Sequence, residues 1–111
     1  MRWTRYVRGD IYRIRAKKHA HGHEQRGTRY AVVVQADYLN LSTLLVAPTS
    51  TSARPSDFRP TITIDGTETR VLVEQTTAVN AETRLNDFAG RLDAEELTEL
   101  DRALALVLGL F

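Results

Sequence analysis

The sequence predicts a mainly β fold closed by one terminal helix: a small, strongly bent sheet or barrel of about five to seven short strands with an amphipathic helix packed against it. Three observations predict it. Short β-branched runs such as AVVVQ (Ala31–Gln35) recur between polar turns, the pattern of buried or half-buried strands. Asp65-Gly66 separates two alternating stretches, which is hairpin chemistry. Leu97, Leu100, Leu104, Val107, Leu108 and Phe111 follow each other at helical spacing behind an acid-rich start, as in an amphipathic helix.

Taken in order, GDIYRIR (Gly9–Arg15) alternates Ile11, Arg13 and Arg15 with Tyr12 and Ile14 and reads as a short strand. Ala16 to Gly27 has no apolar period and contains two glycines, so it reads as a long loop of the kind that often carries function. AVVVQ is a buried strand, DYLN (Asp37–Asn40) a turn, and STLLVAP (Ser42–Pro48) a second strand that Pro48 ends or places at an edge. Thr49 to Pro60 is a second polar loop. Thr61–Asp65 and Thr67–Gln75 form the two arms of the hairpin, and Asn80 caps a short helical turn over Ala81–Leu85. Asp87–Leu92 is the last strand, with Gly90 marking a bulge or close packing. Asp93 and Glu96 make a capping box for the terminal helix, which stops at Gly109.

The composition bounds the function. The 111 residues, 42% hydrophobic and 26% charged, suit one domain spanning 1–111. The absence of cysteine excludes disulfides and thiolate metal sites. No run approaches the roughly 18 apolar residues of a membrane span, and no apolar signal core follows the basic N-terminus. A soluble cytoplasmic protein is expected. The net charge of +1 hides an asymmetry: residues 1–30 carry nine Lys/Arg against Asp10 and Glu24, while 31–111 carry six against twelve acids. Such a split fits a polyanion or an acidic partner, and equally a solvated basic loop balanced by an acidic helix.

Six strings, GDIY (Gly9–Tyr12), GHEQRGTR (Gly22–Arg29), AVVV (Ala31–Val34), VAPTS (Val46–Ser50), VLVEQ (Val71–Gln75) and GRLDAEEL (Gly90–Leu97), occur in the order and spacing of the MazF/PemK toxin family, which the chain resembles from Gly9 to about Leu110. The resemblance implies an SH3-like barrel of the CcdB/MazF type, usually homodimeric. It implies sequence-specific, metal-independent cleavage of single-stranded RNA, with no cofactor, and an antitoxin (MazE-like) whose acidic tail covers the RNA groove. The family's catalytic arginine and threonine fall on Arg29 and Thr49, and the glutamate tied to activity on Glu24. RNA contact is expected from Gln25, Arg26, Tyr30 and Ser50, and along the basic loop from Lys17, Lys18 and His23. Two features depart from the family: Tyr30 stands where Pro is usual, and Arg13–Gly22 is strongly basic.

These residue types suit the chemistry. RNA is cut without metal when its own 2′-hydroxyl attacks the adjacent phosphorus. A guanidinium is shaped to stabilise the charge that develops there, and for the same reason it is a poor general base. A water, Glu24 or a nearby histidine can take the proton instead. Thr49 offers a hydroxyl to a phosphoryl oxygen. Trp3, Tyr30 and Tyr38 are candidate stacking platforms or core residues. His19, His21 and His23 alternate, a metal-like spacing, but the glycine-containing loop favours phosphate contact over a metal. Asp10, Glu74 and Gln75 read as braces of the fold, and the terminal leucine stripe as core more than partner groove. Two rival functions remain: a toxin of the same barrel that poisons a protein such as DNA gyrase, as CcdB does, and an RNA-binding relative with impaired catalysis.

Overall fold

The computed structural model describes residues 6–15 and 29–110. In chain order these form β1 (Asp10–Ile14), β2 (Tyr30–Val33), β3 (Leu44–Ser50), β4 (Thr61–Ile64), β5 (Thr67–Val71), a 3-10 turn (Val73–Gln75), β6 (Thr77–Val79), α1 (Ala81–Arg84), β7 (Leu85–Arg91) and α2 (Ala94–Leu108). The strands make one curled antiparallel sheet in the order β4-β5-β3-β2-β1-β7, with β6 added beside β3.

The sheet has two apolar faces. Alternation along each strand sends Ile11, Val32, Val34, Ala47, Ile62, Ile64 and Val71 to one face, where Leu100 and Ala103 of α2 cover them. It sends Ala31, Val33, Leu44 and Val46 to the other, where they meet Val79, Ala81 and Leu85. The run of valines in β2 is thus buried on both sides, which is why it shows no polar alternation.

The local signals act as expected at several points. Asp93 accepts from the Glu96 N–H while the Glu96 carboxylate accepts from the Asp93 N–H, a complete capping box. Asn80 caps α1 by accepting from the Thr83 N–H. Asp65 and Gly66 turn the β4–β5 hairpin with φ of 50° and 77°, the left-handed pair of a type I′ turn. A bulge at Ala89 follows from the pairing of Ile11 with Gly90 but Tyr12 with Phe88.

Three boundaries differ from expectation. β3 continues through Pro48 to Ser50, because its outer edge pairs with β6 over Leu44–Val46 and with β5 over Thr49–Ser50. Pro48 sits at the changeover, where a missing N–H costs little. The second hairpin arm ends at Val71 and bends into the 3-10 turn, and Thr77–Val79 then forms a strand that three residues of TAV do not announce. In α2, Leu97, Leu100, Ala103 and Leu104 face the core, but Leu106, Val107 and Leu108, with Leu110 beyond them, are exposed. Among the described residues no helix is long and apolar enough to cross a membrane.

Candidate nucleic-acid interface

Arg29 enters β2 half-buried, directly after the glycine-rich segment. Its carbonyl accepts from the Ile14 N–H at 3.0 Å, so the β1–β2 ladder holds the arginine's backbone in extended form. β2 and β3 pair Ala31 with Pro48, and the same register carried two residues further sets Arg29 level with Ser50. β3 and β5 pair Ser50 with Arg70, and β4 pairs Thr61 with Arg70. Residues level with each other on neighbouring strands project from the same side of a sheet. Ser50, Arg70 and Thr61 therefore form one row turned away from Val71 and Ile62, with Arg29 in line with it by extension of the β2–β3 register, and Thr61 at the sheet edge also borders a pocket with Glu99, Arg102 and Leu106 of α2.

Thr49 points the other way. It is level with Val71, 3% exposed, and its hydroxyl donates to the Tyr30 carbonyl at 3.2 Å. Thr49 thus ties down the peptide that follows Arg29. The Ser50 hydroxyl oxygen accepts from the Ser52 and Ala53 N–H groups at 3.2 and 3.1 Å and lies 3.1 Å from the Ser52 hydroxyl. This local hydrogen bonding shapes the start of the following loop.

Arg70 is unlike its neighbours. Its Nε and Nη1 are buried without a hydrogen-bond partner. It takes no part in the four ion pairs among the described residues, Arg8–Asp101, Arg59–Glu74, Arg91–Asp10 and Arg102–Glu99. Sequence reading passed over it. The alternation TETRV does turn Arg70 away from the core side of Val71, but only the pairing of distant strands reveals its neutral neighbours.

Aromatic groups flank the row. Tyr12, level with Ala31, packs edge-on against Tyr6 and Phe88, with ring centroids 5.3 and 5.7 Å apart, and Phe88 is more than half exposed. Burial first, then the Asp10 carboxylate, pushes the Tyr12 hydroxyl pKa above its ordinary value. Tyr30 instead packs against the α2-side core, on the face opposite Arg29, and Tyr38 stands exposed in the turn after β2. Glu24, Gln25, Arg26, Lys17, Lys18 and His23, with Trp3, His19 and His21, lie outside the described residues.

Of the expected braces, Asp10 and Glu74 are paired, while Gln75 is exposed. Asp10, 2% exposed, accepts from Arg91 Nε at 2.6 Å and from the Val7 N–H at 3.3 Å. Arg59 donates to Glu74 from Nε and Nη2, and that hydrogen bonding holds the Glu74 carboxyl below its usual range. A separate apolar groove of about 660 Å³ runs along the end of α2, with Leu45, Val73, Leu104, Leu108 and Leu110 in its wall.

Comparison with known proteins agrees with this architecture. Residues 7–108 match the family model described as PemK-like, MazF-like toxin of type II toxin-antitoxin system. The proposed toxin Rv3098A of Mycobacterium tuberculosis is 40% identical over 104 residues, covering 94% of this chain and 98% of its own. The backbone superposes on MazF from Deinococcus radiodurans with a TM-score of 0.76 at 23% identity, covering 96% and 98% of the two chains. It superposes on a mycobacterial endoribonuclease solved with its cognate antitoxin with a TM-score of 0.75 at 16% identity, covering 96% and 97%. These structural likenesses show the fold, a MazF-like curled sheet with a C-terminal helix. With the family model spanning nearly the whole chain and a relative at 40% identity over nearly its full length, the chain belongs to the PemK/MazF-like toxin family of type II toxin–antitoxin systems.

Proposed function

We propose that this toxin is an endoribonuclease that cuts single-stranded RNA at a defined sequence without a metal. The observation that carries the reading is the seating of Arg29: its backbone is held by Ile14 on one side and, through Tyr30, by Thr49 on the other, while its side chain shares a face with Ser50. The fold's likeness to a chain described as an endoribonuclease supports it.

In this mechanism the ribose 2′-oxygen attacks the adjacent phosphorus and the bond to the 5′-oxygen breaks. The products are a 2′,3′-cyclic phosphate and a 5′-hydroxyl. The 2′-hydroxyl proton passes to Glu24 or to a water, and a water supplies the proton taken up by the leaving 5′-oxygen, so that no net proton is gained or lost. Arg29 holds the phosphorane's extra negative charge. For Thr49 to donate to a phosphoryl oxygen, its side chain must leave the buried face on which it bonds the Tyr30 carbonyl. RNA contact is assigned to Ser50, Gln25 and Arg26 and, from the basic segment, to Lys17, Lys18 and His23. Tyr30 serves as scaffold in this reading, with its ring on the core side.

The acidic partner implied by the charge asymmetry is an antitoxin segment that occupies the same groove, and the site of action is the cytoplasm. A second copy of the chain covers exposed apolar surface to form a homodimer, which light scattering at micromolar concentration tests. A second reading, a toxin that binds a protein target, draws on the exposed leucines at the end of α2.

One incubation separates the two. Purified protein with a mixed-sequence single-stranded RNA in excess EDTA should give discrete cuts with cyclic phosphate and 5′-hydroxyl ends. Intact RNA at high protein concentration would refute the nuclease, and the absence of RNA binding as well would favour the protein-binding toxin.

A further inference from the structure

We infer that Arg70 is a phosphate-binding residue of the groove, holding a backbone phosphate of the RNA next to the one that faces Arg29. The inference rests on the RNA reading above for the identity of its ligand, and on the arrangement of β3, β4 and β5 for the site itself.

Burying a guanidinium without partners is costly, and proteins normally pair such a group. Here two of its three nitrogens are buried and bond to nothing. Its cross-strand neighbours are Ser50 and Thr61, both neutral. Glu68, two residues away on the same face of β5, is exposed and makes no ion pair with it. Nε and Nη1 are shut off from solvent, so an oxyanion meets the guanidinium at Nη2, where its charge answers an unpaired, partly desolvated cation. Adjacent strands lie about 4.8 Å apart, so the backbones of Arg29 and Arg70, two strands apart in one row, stand about 10 Å from each other. Two arginine side chains at that separation can each take a phosphate of one extended strand, with Ser50 between them. A ligand that brings its own negative charge supplies what the fold withholds from Arg70.

The test uses full-length protein and a single-stranded oligonucleotide whose riboses are 2′-O-methylated, so that it binds but cannot be cut. Arg70→Met should weaken binding about tenfold to a hundredfold, the range for losing a charge-assisted contact. It should also reduce the slope of log affinity against log salt by about 0.7, one phosphate's share. Its melting temperature should equal or exceed that of wild type, since an unpaired buried charge is gone. A folded Arg70→Met protein with unchanged affinity and slope overturns the inference. If the variant does not fold, the Arg70 Nε–H resonance of wild type is followed during the same titration, and a resonance that does not move overturns it. If wild type binds no oligonucleotide, the RNA reading has failed on its own. Inorganic phosphate then decides for Arg70: a saturable shift of its Nε–H signal supports an anion site, and none overturns it.

Discussion

Replacing Thr49 with valine separates chemistry from folding. The residue is 3% exposed and its one hydrogen bond is to the Tyr30 carbonyl. Valine keeps the branched shape and replaces the hydroxyl with a methyl group. The loss is one neutral hydrogen bond, about 1 kcal/mol, partly offset by the extra apolar surface. Unfolding entropy of about 2.1 cal/mol/K per residue gives about 230 cal/mol/K for this chain, so 1 kcal/mol moves the melting temperature by about 4 °C. Thr49→Val should therefore melt no more than about 4 °C below wild type. If the hydroxyl donates to the reacting phosphate, single-turnover cutting should fall by about 10²–10³-fold, the usual loss for one such donor. Thr49→Ser, which keeps the oxygen, should recover most of that rate. Differential scanning calorimetry and a fluorogenic oligoribonucleotide supply the two readouts. A valine variant that cuts within about threefold of wild type would refute the assignment and leave Thr49 only a backbone clamp.

Arg29→Ala should abolish cutting while leaving the melting temperature within about 2 °C, since a half-exposed charge away from buried networks rarely carries stability; wild-type cutting would remove it from the site. Gly9 has φ of +91°, and a Cβ there would stand 3.3 Å from Leu97 Cδ1. Gly9→Ala should cost about 1–3 kcal/mol, read as a lower denaturant midpoint. Hydrogen bonding to Arg59 lowers the Glu74 pKa in the folded state. Its stabilisation is therefore present above the unfolded carboxyl pKa and is lost as pH falls through the folded one. The wild-type melting temperature should fall between pH 7 and pH 3 by more than that of Glu74→Gln, and equal falls would contradict the pair's contribution.

Elements governed by neighbouring residues were legible in the sequence. The Asp93–Glu96 box starts α2, Asn80 caps α1, and Asp65-Gly66 turns the hairpin, because each depends on residues within four positions of itself. Elements governed by distant partners were not. Thr49 and Ser50 look like loop in a Ser/Thr-rich stretch, and they become strand only because β5 pairs with them. Thr77–Val79 has no pattern of its own and becomes β6 through β3. The site shows the same division. The strings around Arg29 and Thr49 mark those residues through family resemblance, whereas Arg70 acquires meaning only when three strands set it level with Ser50. Trp3, His19, His21 and most of the basic loop lie outside the described residues, so their part stays with the sequence reading.

β3 meets β5 through just two residue pairs, Thr49–Val71 and Ser50–Arg70, while its other edge is committed to β2. That narrow seam joins the β4–β5 hairpin to β3 through few strand pairs, while Ile62, Ile64 and Val71 anchor its inner face in the core under α2. In the proposed nuclease the reaction chemistry falls on the β1–β2 side with Arg29, and the outer face of the hairpin carries Thr61 and Arg70 in line with Ser50. If the proposed nuclease holds, changes on the outer face of the hairpin would alter which RNA is preferred while its core residues and the cutting step stay the same, a separation of target choice from catalysis that swapping only the outward-facing hairpin residues between two family members would expose directly.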